Sequence, residues 1–176
     1  MEIYFVRHAN AGSPKINREK DEQRPLDKMG IEQSHVMGRA LASLGVKPEV
    51  ILSSPLVRAR ETASIVAEEI GHREKIVLDD AMRPDADYAD FQQLLARYQS
   101  AGAIMVVGHN PSETEFLSRL VTGKTSEAIE LKKGAIARVD YEPGKQPVLK
   151  WIMPPKVVRA IQEGSASSSR PKIVSK

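Results

Sequence analysis

The chain has 176 residues, 41% of them hydrophobic and 28% charged, with a formal net charge of +3 and no cysteine. This is the size and balance of one soluble globular domain. It excludes a disulfide framework, a thiolate metal site and a cysteine-nucleophile enzyme, and no apolar stretch approaches the roughly 20 residues of a membrane span.

The N-terminus carries no positive region followed by a cleavage site, which predicts a cytoplasmic protein. Residues 2–7 form the first strand, with Ile3-Tyr4-Phe5-Val6 apolar throughout, and the strand empties directly into Arg7-His8. Residues 9–28 read as a long loop, and loops of that length inside a compact domain are often functional. A helix is predicted over 29–44, where Met37, Ala40, Leu41 and Leu44 share a face. A strand follows at 49–53, then a helix over 56–70 with Leu56, Ala59, Ala63, Val66 and Ile70 at alternating spacings of three and four. That period marks an amphipathic helix. A short strand is expected at 75–78 and a helix at 87–99, striped by Tyr88, Phe91, Leu94, Leu95 and Tyr98. The run Ala103-Ile104-Met105-Val106-Val107 is a second wholly apolar strand and ends in Gly108-His109-Asn110-Pro111. A helix over 112–122 and strands at 135–140 and 147–152 complete the pattern. From Gly164 a Ser-rich segment with Arg170, Lys172, Lys176 and no acid reads as a disordered basic tail, leaving 1–163 as the domain. These three charges equal the whole net excess, so the body is near neutral and offers no nucleic-acid surface.

Strands alternating with helices predict a three-layer αβα sandwich around a mostly parallel sheet of about six strands. Wholly apolar strands suit its centre, covered on both faces. Ser54-Pro55 and Asn110-Pro111 each follow a strand, and both read as an N-cap followed by proline at the first helical position. Glu113, three residues after Asn110, completes a variant capping box. Ligands of open α/β sheets bind at the carboxyl ends of the strands, where helix N-termini favour anions.

That edge collects Arg7 and His8 after the first strand, Arg58 after the second and His109 after the fourth. Guanidinium groups present planar forks of donors to phosphate oxygens. Imidazole, with an ordinary pKa of about 6.5, keeps a neutral nitrogen free to attack near pH 7. Two arginines and two imidazoles can surround a phosphoryl group and hold its equatorial oxygens, where charge spreads in the transition state. Taken singly, each is an ordinary structural or surface residue, as His35, His72, Arg60 and Glu61 are expected to be. Joint placement sets the four apart.

Val6-Arg7-His8-Ala9 resembles the Arg-His-Gly motif of the histidine phosphatase superfamily. Ser54-Pro55-Leu56-Val57-Arg58-Ala59-Arg60-Glu61-Thr62 is similar to its second motif, and Gly108-His109-Asn110 to its third. Asp21-x-x-Arg24-Pro25-Leu26 with Gly30, and the closing Trp151-Ile152-Met153-Pro154-Pro155-Lys156, look most like the SixA-type phosphohistidine phosphatases. The similarity spans about residues 1–158. It implies that His8 is the phosphorylated nucleophile, that Arg7, Arg58 and His109 form the phosphate pocket, and that Arg24 contacts phosphate or substrate. It implies no cofactor and no metal, the arginines standing where magnesium often does. Ala9 replaces the usual glycine, which requires an ordinary backbone there.

A second departure is more informative. Where many members of the superfamily carry a glutamate acid, this chain reads Leu78-Asp79-Asp80-Ala81-Met82-Arg83-Pro84-Asp85-Ala86-Asp87. Asp80 or Asp85 could substitute, although helix capping by Asp85 or Asp87 explains them more simply. An alkoxide leaving group needs a proton donor, whereas imidazole leaves phosphorus with little help. The expected substrate is therefore phosphohistidine on a signalling or phosphotransfer protein. A small-molecule phosphomonoesterase acting on a phosphate ester is the alternative, and a non-catalytic module that captures phosphorylated partners is a third reading. Thr122-Gly123-Lys124-Thr125 resembles the end of a nucleotide phosphate loop, but residue 118 is serine and the tetrad follows a helix.

Overall fold

The computed structural model describes residues 1–168, with side chains described through Gly164. Six strands form one sheet in the order β3-β2-β4-β1-β5-β6. They are β1 (Glu2–Arg7), β2 (Val50–Ser53), β3 (Val77–Leu78), β4 (Ala103–Gly108), β5 (Ile136–Asp140) and β6 (Val148–Met153). β1, β2, β3 and β4 pair in parallel, while β5 lies antiparallel to both β1 and β6. The sheet is thus mixed but mostly parallel, as the alternation of elements predicts.

Period-two alternation divides the core. Ile3, Phe5, Ile104 and Val106 face one side and pack with Phe91, Leu94, Phe116 and Leu117. Those side chains come from α4 (Tyr88–Arg97) and α5 (Ser112–Thr122). Tyr4, Val6, Met105 and Val107 face the other side. There they meet Met37 and Leu41 of α2 (Lys28–Ser43), Ala63 and Val66 of α3 (Val57–Glu69), and Val158 of α6 (Pro155–Ser168). The result is the three-layer α/β sandwich. No described helix is long and apolar enough to cross a membrane.

Several local expectations are corrected. The segment 9–28 contains a helix, α1 (Arg18–Glu22), capped by Asn17, whose side chain accepts from the Lys20 N–H. None of its residues is buried, so hydrophobic periodicity carries no trace of it. The chain after Pro154 turns into α6 and stays helical to Ser168, beyond the expected start of the tail at Gly164. Pro155 occupies the first helical position, where its missing N–H costs nothing. The rest of that tail lies outside the described residues.

The two expected N-caps do not form. α3 starts at Val57 behind Leu56, and α5 starts at Ser112 behind Pro111, neither with a side-chain cap. Ser54 and Asn110 are used otherwise, as described below. Glu113 caps nothing; it is fully buried, and its Oε1 accepts from the Val6 N–H at 3.1 Å.

Gly30 lets α2 lie directly on the segment that follows β1. A Cβ there would stand 1.9 Å from the Asn10 carbonyl oxygen. Gly30→Ala should therefore destabilise the fold by about 2 kcal/mol, the scale of overpacking. Thermal unfolding should show a Tm about 5 °C lower, and an unchanged Tm would contradict this close approach.

Candidate active site

His8 is the first residue past β1, and its backbone N–H donates to the Gly108 carbonyl at 3.0 Å. The parallel register pairs Arg7 with Gly108, so His8 and His109 leave neighbouring strands at the same level. Their ring centroids are 4.9 Å apart with planes inclined at 53°. His8 is 6% exposed, His109 1% and Arg58 5%. The fold thus brings the predicted pair of imidazoles together in one buried place.

The tautomer of His8 follows from its partner. Nδ1 lies 2.7 Å from the Ala9 carbonyl, which only accepts, so Nδ1 carries the proton and Nε2 keeps its lone pair. Ala9 is buried with an ordinary backbone, since no non-glycine described residue has positive φ. Its N–H donates to Thr62 Oγ1 at 3.1 Å, and Thr62 Oγ1 donates to the Arg58 carbonyl at 2.7 Å. One threonine therefore ties the His8 segment to the start of α3, which carries Arg58.

The arginines are held on one side and free on the other. Arg7 Nη1 donates to the Leu131 carbonyl at 2.8 Å, a carbonyl also taken by Asn110 Nδ2 at 3.1 Å. Arg58 Nη1 donates to the Asp21 carbonyl at 2.8 Å and lies 3.4 Å from the Asp21 carboxylate. Asp21 in turn holds Arg24, whose Nε reaches Oδ1 at 2.8 Å while its Nη1 donates to the Ala11 carbonyl at 2.6 Å. Arg24 is thus drawn into the same cluster. By contrast, Arg7 Nε, Arg58 Nε and His109 Nδ1 are buried with no hydrogen-bond partner in the protein. Unpaired buried polar nitrogens are costly, and three on neighbouring residues mark a candidate anion cradle.

Electrostatics agree with that reading. Burial pushes the His8 pKa down to about 3, and the nearby Arg58, Arg7 and Lys133 charges push the same way. His109 falls to about 2, first through burial and then through His8, Arg58, Arg24 and Arg7. Both rings are neutral near pH 7. Burial also lowers Arg7 and Arg58 from their usual values.

Lys133 was not indicated by any motif. Its Nζ donates to Asn10 Oδ1 at 3.0 Å, and the Asn10 amide is itself fixed by Asp27 at 2.6 Å. The two aspartates weighed as acids are engaged elsewhere. Asp80, with an 80% exposed side chain, pairs with Arg83 at 2.6 Å, and Asp85 pairs with Arg18 at 3.2 Å. Asp87 sits at the N-cap of α4 without a side-chain bond. Of the expected surface residues, Glu61 instead accepts the Leu26 N–H at 2.7 Å, pinning the loop. His35 pairs with Glu69 at 2.7 Å across α2 and α3.

The α/β sandwich thus carries a candidate anion site at the carboxyl edge of its parallel strands. The model of the histidine phosphatase superfamily (branch 1) matches residues 3–95, and the chain belongs to that superfamily. It is 31% identical over 168 residues to an uncharacterized protein of Picosynechococcus sp., covering 88% of this chain and 100% of the relative. It is 25% identical over 166 residues to the phosphohistidine phosphatase SixA of Escherichia coli (strain K12), covering 92% and 100%. The structure of the protein histidine phosphatase SixA complexed with tungstate superimposes with a TM-score of 0.81 at 23% identity, over 90% of this chain and 99% of that one.

The buried neutral imidazoles make stability depend on pH. Each titrates near 6.5 when unfolded and at about 3 or about 2 when folded. Below pH 6.5 the unfolded chain binds protons that the folded chain refuses, so stability falls with acid and is unaffected by these rings above about pH 7. Between pH 6.5 and 5 the pair should cost about 3 kcal/mol. Urea unfolding of the wild type and of His8→Asn should show a shallower acid slope in the variant; equal slopes would refute the neutral buried ring.

Proposed function

We propose that this protein removes the phosphoryl group from phosphohistidine on a partner protein, with His8 as the transient acceptor. The observation that carries the reading is the free Nε2 lone pair of His8, set beside the unpartnered nitrogens of Arg7, Arg58 and His109.

In the first step His8 Nε2 attacks phosphorus in line. The P–N bond of the substrate breaks, and its electron pair goes to the departing ring. With its other nitrogen protonated, that ring leaves as neutral imidazole, and the proton it carries goes with it. Arg7, Arg58 and His109 take the equatorial oxygens as charge spreads over them. Arg24 contributes positive charge beside Arg58. His8 then bears phosphate on Nε2 while Nδ1–H stays on the Ala9 carbonyl. In the second step water attacks phosphorus, the P–Nε2 bond breaks, and the pair returns to Nε2. Because Nδ1 has kept its proton, His8 also leaves as neutral imidazole, and the proton of the water departs with phosphate.

Neither leaving group needs a dedicated acid. That matches the engagement of Asp80 and Asp85 in exposed ion pairs with Arg83 and Arg18. Both transfers run between imidazole nitrogens or to water, so no cofactor enters. The similarity to the phosphohistidine phosphatase SixA supports the same substrate class, with a phosphorylated protein as the partner.

His8→Ala should abolish phosphate release from a phosphohistidine protein, and acid-quenched wild type should carry phosphate on His8 by mass spectrometry. Asp80→Asn and Asp85→Asn should keep turnover within about twofold. A phosphoramidate should outpace a phosphate ester of similar size by at least about tenfold, since only the ester's alkoxide needs an acid. Equal rates on the two, with a large loss in an aspartate variant, would instead identify a small-molecule phosphomonoesterase.

A further inference from the structure

Ser54 was expected to cap a helix, and it does not. It sits just past β2 with no exposed surface, and its backbone N–H donates to the Val107 carbonyl at 2.9 Å. That bond fixes it to the strand that delivers His109. Its hydroxyl oxygen accepts the Leu56 N–H at 3.3 Å and stands 2.9 Å from His109 Nε2. Its own carbonyl is taken by the Ser53 hydroxyl at 3.0 Å.

The hydroxyl proton of Ser54 needs an acceptor, and His109 Nε2 is the one its bonded neighbours supply. We infer that Ser54 is a positioning residue, donating its hydroxyl proton to His109 Nε2 and so placing the ring proton on Nδ1, where it faces the phosphoryl group. This rests on the reading that the pocket receives a phosphoryl group, but not on which molecule brings it.

The opposite assignment fails twice. If Nε2–H donated to Ser54, the serine proton would be buried without a partner, and Nδ1 would offer a lone pair to an anion. With Ser54 as donor, every proton in the chain has a destination: Leu56 N–H to Ser54 Oγ, Ser54 O–H to Nε2, and Nδ1–H to the ligand. Nδ1 is the buried, unpartnered atom of this ring. The two imidazoles are then set as a matched pair by different means. His8 has its proton drawn to Nδ1 by a carbonyl, which frees Nε2 as a nucleophile. His109 has its proton pushed to Nδ1 by a hydroxyl, which makes Nδ1 a donor.

The test is direct observation of the tautomer. Full-length protein with 15N-labelled histidine, with and without inorganic phosphate, should show His109 protonated on Nδ1 in two-bond 1H–15N correlation spectra. In Ser54→Ala the His109 pattern should shift toward Nε2–H or an average of the two, while His8 keeps its own pattern. Phosphate binding should weaken about tenfold and kcat should fall about 10- to 100-fold, short of the roughly 100- to 1000-fold cost of removing an oxyanion donor outright, because the ring remains and only its tautomer is freed. Ser54→Thr, which restores a hydroxyl, should recover the Nδ1–H signal and part of kcat. A wild-type His109 protonated on Nε2 overturns the inference without any variant. So does a Ser54→Ala protein that keeps both its tautomer and its phosphate affinity. If phosphohistidine turnover is missing but the tautomer and phosphate results hold, the substrate reading fails and this one stands.

Discussion

The parallel pairing of β1 with β4 is the constraint on which the rest depends. Its register sets Arg7 opposite Gly108, and each strand is followed immediately by a histidine. Two residues a hundred positions apart thereby come within ring contact. The apolar side chains that cover both faces of these strands hold that register, because a slip of one residue would turn Phe5 and Val106 to the wrong layer. Packing far below the site thus determines how the imidazoles meet. Glu113 reinforces the junction: it reaches from α5 to the Val6 N–H, and it lies where any side chain at Gly108 would have to go.

The site spends stability on readiness. Arg58 and two imidazoles are buried together beside a partly buried Arg7, and the contacts made to them by the protein are mainly backbone carbonyls. Leu131 holds Arg7, Asp21 holds Arg58, and Ala9 holds His8. Carbonyls fix orientation without supplying a full negative charge. The carboxylate bonded within the cluster, Asp21, is shared between Arg24 and Arg58, while Glu130 and Glu113 near Arg7 and Glu22 near Arg58 act at longer range. Positive charge is thus only partly compensated beside neutral rings, and burial depresses the ring pKa values far enough that acid cannot readily protonate them. On the proposed reading, an incoming phosphate would relieve both the charge and the unpaired donors.

Much of this was legible in the sequence because the responsible segments are extreme. β1 and β4 are apolar without interruption, and α3, α4 and α5 repeat their stripes clearly. Arg58 became visible through motif resemblance and the helix that bears it, since an arginine on a helix is otherwise unremarkable. Errors arose where one residue type has two uses. Ser54 and Asn110 precede prolines as N-caps do, but the chain commits the Ser54 hydroxyl to His109, and Asn110 to the Leu131 carbonyl and Thr114. α1 left no signal because it buries nothing, and α6 was hidden behind a pair of prolines, with Pro155 and Val158 the buried residues along its described length. Lys133 reaches the site through a single contact with Asn10, which no spacing rule encodes.

The attachment of α1 differs in kind from everything beneath it. It is held by ion pairs: Arg18 with Asp85, Glu22 with Arg83, and Asp21 with Arg24 and Arg58. Salt screens charges that face solvent, such as Arg18–Asp85 and the partly exposed Glu22–Arg83, far more than the hold of Asp21 on the buried Arg24 and Arg58. The rim of the molecule and its floor consequently answer to different variables. Ionic strength therefore acts on the outer turn of α1, while Asp21 keeps its grip on Arg58 through a buried pair and a carbonyl hydrogen bond.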